Sequence, residues 1–187
     1  RLLYDVIGVD VSHHQGAIDW LTRARTDVSF ADIKAPGFNG NITYNPASTY
    51  SDTVDQTGGD VTVEGIAPHE LMALGEVLRS MGAEVSEGAD SLRCRASQRL
   101  ESADVTTLPY PGFPTDMQAQ WIAMMSVAGG TSVVTDTIYL DRFKHVPELI
   151  RLGADIEVKE NAAIVRGTQR LTGAKVMSTD LRASASL

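Results

Sequence analysis

The pattern of apolar and polar positions divides the chain into three stretches. The first, residues 1–36, opens with the apolar-rich run "LYDVIGVDVS", which predicts a buried strand. A turn, a short helix around Ile18 to Arg25 and a second strand, "VSFADIKA", complete a βαβ-like segment. In the second stretch, residues 37–58, the periodicity disappears. Gly, Asn, Ser, Thr and Asp dominate there, and the composition predicts a polar loop or linker. From Gly59 onward regular patterning returns.

The regular stretch, residues 59–187, repeats itself. "LRSMGAEV" from Leu78 is echoed by "LIRLGADI" from Leu149, and "SQRLESADV" from Ser97 by "TQRLTGAKV" from Thr168. "GDVTV" from Gly59 is echoed by "GTSVV" from Gly130, so all three pairs share one offset. Each copy predicts a strand (Val61–Glu64; Ser132–Thr135) followed by an amphipathic helix. In the first copy that helix runs from about Pro68 to Met81, with Leu71, Leu74, Val77, Leu78 and Met81 on one face. Gly82 and Gly153 then stand where a helix ends in the left-handed conformation. Hairpins with turns near "EGAD" and "KEN" follow, then another strand, then a helix opening at Thr-Asp. The common offset fails between Thr115-Asp116 and Thr179-Asp180, because the first copy carries extra residues within "LPYPGFP". The helix beyond that loop, Met117 to Ala128, is apolar nearly all round and should be buried. The second copy reaches Leu187 inside the corresponding helix, which reads as a truncated repeat domain.

Composition narrows the function classes. A chain of 187 residues can bury a substantial core, and 43% hydrophobic with 21% charged residues is ordinary for a globular protein. A net charge of −8 disfavours nucleic acid or an anionic membrane as partner, though a few local cations could still hold an anionic small molecule. No apolar run approaches the ~18 residues of a membrane span. The chain begins at Arg1 without a signal-peptide cleavage site, and a cytoplasmic fragment is expected. One cysteine, Cys94, excludes an intrachain disulfide; in "LRCRA" it alternates with Arg93 and Arg95 and should face the core. His69 and His145 are expected as partly exposed helix residues. No metal site or cofactor is expected. Thr-Asp at a helix start reads as an N-cap in both copies, and Arg142 alone reads as a surface charge.

"TLPYPGFPTDMQAQ", "TDTIYLDRFKHVPEL" and "STDLRASASL", set in the framework "GGDVTVEG" and "GADIEV", closely resemble the UDP-N-acetylglucosamine enolpyruvyl transferase family over residues 58–187. The resemblance implies an α+β fold of repeated βαβαββ units with helices inside, the inside-out α/β barrel type. It implies transfer of the enolpyruvyl group of phosphoenolpyruvate to the 3′-hydroxyl of UDP-N-acetylglucosamine, a step of peptidoglycan synthesis. By the same resemblance Asp116 is the general base at the sugar hydroxyl, with Ile138 and Tyr139 beside the nucleotide sugar. Arg142 lies near the phosphoenolpyruvate, and Asp180 and Arg182 belong to the same cleft. A hydroxyl that attacks must lose its proton, so a carboxylate in reach is required. Arginine presents a planar fork to carboxylate or phosphate oxygens, and prolines restrict the loop that carries the acid. The family's Lys-Asn motif, cysteine-bearing loop and later Asp-Arg-Gly motif have no counterpart in this sequence, so turnover by this chain alone is not expected.

"GVDVSHHQGAIDW", followed by "FADIKA", resembles the first strand and loop of family-25 glycoside hydrolases, the muramidase-type lysozymes, in which Asp10 would line a sugar cleft. Such hydrolysis needs a second carboxylate at a defined separation, and the one Asp-x-Glu triplet, Asp155-Ile156-Glu157, belongs to the transferase-like repeat. Three readings are therefore carried forward: a partial enolpyruvyl transferase, a muramidase-like hydrolase or glycan binder, and a chimeric or designed globular domain without activity.

Overall fold

The structure, a computed structural model, describes residues 42–44 and 59–177. The expected N-terminal βαβ segment with Asp10, and Asp180 and Arg182, lie outside the described residues. Two four-stranded sheets are present. The first joins β1 (Ile42–Tyr44), β2 (Gly59–Glu64), β3 (Glu84–Glu87) and β4 (Ser91–Ala96) in the order β1-β2-β4-β3, all neighbours antiparallel. The second joins β5 (Val105–Thr107), β6 (Thr131–Asp136), β7 (Asp155–Lys159) and β8 (Ala162–Arg166) in the order β5-β6-β8-β7. There β5 and β6 run parallel, and the other neighbours antiparallel.

Among the described residues three α-helices connect these strands: α1 (Met72–Ser80), α2 (Gln118–Met125) and α3 (Val146–Arg151). From β5 to β8 the order is βαβαββ, so the fold is α+β and built from the expected unit. Parallel strands need a crossover, and α2 supplies it between β5 and β6. β1 falls inside the stretch expected to be linker. Its three residues are ordered by pairing with β2, a tertiary contact that apolar periodicity does not register.

The repeat seen in the sequence is a repeat in space. β2, α1, β3 and β4 recur as β6, α3, β7 and β8. Gly82 (φ 95°) and Gly153 (φ 91°) close the two helices in the left-handed region, where a side chain would strain the backbone. Inward positions alternate as strands require: Val61 and Val63 on β2, Leu92 and Cys94 on β4, Val134 on β6, Ala163 and Val165 on β8. All of these except Leu92 join Leu74, Leu78, Met81 and Leu149 of the helical segments in one continuous core. Cys94 is fully buried as expected, and burial pushes its thiol up to about 12.

All eight residues of α2 are buried, Gln118 and Gln120 among them. A helix wrapped on every side has no solvent to satisfy its end, so its last carbonyls need protein donors. For the turn just beyond Met125 Arg99 supplies them: Nε donates to the Val127 carbonyl at 2.9 Å and Nη2 to that of Ala128 at 2.7 Å. Nη2 also reaches the Thr168 carbonyl at 2.8 Å, tying the segment after β8 to the same turn. The chain passes so close there that a Cβ on Gly167 would sit 1.8 Å from the Ala128 oxygen. His145 departs from expectation. It is 1% exposed, at the residue preceding α3, and the repeat aligns it with the core residue Leu74.

Two stability predictions follow from these contacts. Gly82→Ala meets no atom within 4 Å and carries only backbone strain, so denaturant unfolding should show a loss of about 1 kcal/mol. Gly167→Ala forces backbone apart and should cost more than about 3 kcal/mol or prevent folding. In the first sheet Arg93 forks onto Asp60, with Nε to Oδ1 at 2.7 Å and Nη2 to Oδ2. That hydrogen bonding holds the Asp60 carboxyl below its ordinary value against the opposing effect of burial. A lowered folded value contributes stability above the unfolded pKa, and the contribution disappears as pH falls through the folded value. Stability should therefore decline below about pH 4, and Arg93→Met should flatten that part of the profile measured by urea titration.

Candidate functional site at the proline loop

The loop Leu108–Pro114 leaves the end of β5 and returns to it. The Leu108 amide donates to the Phe113 carbonyl at 3.0 Å, and the Gly112 amide to the Pro109 carbonyl at 2.9 Å. The Tyr110-Pro111 bond is cis. Phe113 is buried, its ring edge-on to Trp121 of α2 with centroids 5.1 Å apart. The loop is thus pinned at its far end by an aromatic contact with the core helix. Tyr110 and Leu108 remain outside, 70% and 50% exposed.

Immediately after this anchor comes a 3-10 turn, Thr115–Met117, before α2 begins. The inserted turn changes the expected roles. The capping positions fall on Pro114 and Met117, neither of which makes a side-chain cap, and the Thr115 hydroxyl is turned elsewhere. It donates to Asp136 Oδ2 at 2.7 Å and accepts from Arg142 Nη1 at 2.7 Å. Arg142 Nη2 donates to Asp116 Oδ1 at 2.6 Å. The guanidinium therefore spans two consecutive residues with one fork, 5.0 Å above the Tyr139 ring. The pair is largely enclosed, with the Arg142 side chain 15% and the Asp116 side chain 28% exposed.

Asp136 was not among the residues singled out from the sequence, yet it organises this arrangement. It follows Ser132 and Val134 on the inward face of β6 and is fully buried. Its Oδ1 accepts from the Thr107 hydroxyl at 2.8 Å and from the amides of Ile138 and Tyr139, each at 2.9 Å. Carboxylate bonds to amides two and three residues ahead fold the chain into a tight turn. Thr137 is held as well, its amide reaching the Thr107 hydroxyl at 3.1 Å and its own hydroxyl the Thr107 carbonyl. A sequence signal existed: the repeat aligns Asp136 with Gly65, so a polar side chain enters the second copy at an inward position where the first has none.

The structure thus brings Asp116 and Arg142 into contact and sets Ile138 and Tyr139, both exposed, on the adjoining turn. Arg142 is not the free surface charge its isolated position suggests. Among the described residues no group of three or more metal-ligating side chains occurs, and no helix is long and apolar enough to cross a membrane.

The family model for EPSP synthase (3-phosphoshikimate 1-carboxyvinyltransferase) matches residues 45–187. The chain belongs to that family. It is similar to the UDP-N-acetylglucosamine 1-carboxyvinyltransferase of Myxococcus xanthus, with 53% identity over 131 residues, covering 70% of this chain and 31% of that protein. The protein of the same name from Chlorobaculum parvum is 48% identical over 155 residues, covering 83% of this chain and 37% of that one. Among solved structures, the enolpyruvyl transferase NikO from Streptomyces tendae superposes with a TM-score of 0.54 at 26% identity, over 62% of this chain and 27% of that one. The chain spans about a third of the length of the curated relatives it matches.

The anchoring of the loop can be tested on its own. Phe113→Ala removes a buried ring and the edge contact to Trp121. It should cost about 3 kcal/mol and shift the tryptophan fluorescence of the folded chain, read by denaturant titration and emission spectra.

Proposed function

We propose that this chain is part of a UDP-N-acetylglucosamine 1-carboxyvinyltransferase and supplies one wall of its cleft. The observation that carries the reading is the junction of Asp116 and Arg142, residues 26 positions apart brought to 2.6 Å. A carboxylate and a guanidinium held together at a loop mouth match the two charges the reaction needs. In the transfer the sugar 3′-hydroxyl oxygen bonds to the enolpyruvyl carbon, its proton departs, and phosphate is released. Asp116 is the acceptor for that proton, placed by the anchored loop so that little freedom is lost on reaching a productive geometry. Arg142 offers donors for the anionic reactant, and Ile138 and Tyr139 border the nucleotide sugar. Asp180 and Arg182, outside the described residues, complete the set by family resemblance. The matched relatives are about three times as long, so the property expected of these 187 residues by themselves is binding rather than turnover.

Calorimetric titration with UDP-N-acetylglucosamine tests this. Saturable binding is expected, weakened about tenfold or more by Asp116→Ala, the loss of one charge-assisted contact. A folded chain that gives no heat at millimolar ligand would refute the reading.

A further inference from the structure

We propose that Asp136 is a positioning residue for this site, acting through Thr115 to hold Arg142, and through Arg142 to hold Asp116. The proposal takes its functional meaning from the transferase reading, but its geometry stands apart from it.

The polarity of the hydrogen bonds carries the argument. A guanidinium only donates, and an ionised carboxylate only accepts. Thr115 lies between one of each, accepting from Arg142 Nη1 and donating to Asp136 Oδ2, both at 2.7 Å. Its single hydroxyl proton must therefore go to Asp136, which leaves its lone pairs for Arg142. Asp136 has an oxygen available for this because Thr107 and the amides of Ile138 and Tyr139 all converge on Oδ1. The two oxygens divide the work: Oδ1 shapes the turn from which Arg142 extends, and Oδ2 orients the hydroxyl that meets its tip. One buried carboxyl group thus orders the turn three residues before Arg142 and, through Thr115, meets its guanidinium. Its second arm is then left aimed at Asp116 Oδ1.

A purely structural role would end at the turn. The Oδ1 contacts alone would order residues 137–139 without fixing the guanidinium. Thr115→Val separates the two roles, since it keeps every Oδ1 bond and removes the relay. Thr115→Ser restores the hydroxyl.

The test is nitrogen-15 NMR of the Arg142 guanidinium in the free chain, its signals assigned with Arg142→Lys. Wild type and Thr115→Ser should show slowed rotation of the terminal nitrogens. Thr115→Val and Asp136→Asn should show fast rotation, with amide spectra and melting curves establishing that each variant is folded. Should Asp136→Asn fail to fold, Thr115→Val carries the comparison. Affinity for UDP-N-acetylglucosamine should fall about tenfold in Thr115→Val and return in Thr115→Ser. Equal restriction of Arg142 in wild type and Thr115→Val, or free rotation in wild type, would overturn the proposal. A wild-type chain that binds no nucleotide sugar overturns the transferase reading instead, and leaves the guanidinium signals to decide this one.

Discussion

A carboxyl group removed from water is tolerated only where donors replace its hydration, and at Asp136 four donors do so. They come from the end of β5, the turn before α2 and the chain beyond β6. Thr107 and Thr115 lie 29 and 21 positions from Asp136, so satisfying one buried group forces three elements to meet. Had Asp136 been apolar, the same strands could pair and the same core could form, but the loop from Thr137 to Arg142 would lack its turn. Thr115 would also lose the acceptor that orients it. The site is in this sense a consequence of buried polar bookkeeping inside an otherwise apolar sheet face.

The two copies of the repeat show how a core and a site can share one scaffold. Core positions are kept by chemistry: Val63 with Val134 and Leu78 with Leu149 are buried alike in both copies. The copies diverge where the second copy carries polar groups into the interior. Gly65 gives way to Asp136, and Leu74 to His145. Gly65 and Ile66 simply close a turn through their amides on the Asp90 carbonyl. Asp136 keeps the equivalent backbone bond, its amide on the Asn161 carbonyl, and adds the carboxyl network. Both copies keep a helix, a glycine stop and a hairpin in the same order, so the added chemistry rests on a shared frame.

Helix α2 and the proline loop act as one unit. A helix buried on all sides is held just beyond its C-terminal end by Arg99 and at its N-terminal approach by the Phe113–Trp121 contact. Between these two points the 3-10 turn presents Thr115 and Asp116 outward to Arg142. Rigidity here comes from packing against the helix as much as from proline.

Sequence alone determined the parts whose physics is local or periodic. Strand alternation, the amphipathic face of α1, the left-handed glycines after α1 and α3, the inward Cys94 and the repeat itself follow from rules acting over a few residues, and the structure carries them. The family resemblance named Asp116 and Arg142 individually. Only the tertiary structure joined them, because a salt bridge across 26 positions depends on where β5, α2 and β6 are brought together. It also decided the strand β1, the burial of His145 and the diversion of Thr115 from capping. For β1 and Thr115 the deciding partner is distant in sequence, and a pattern read along the chain records a residue's own preferences but not the partner it will meet.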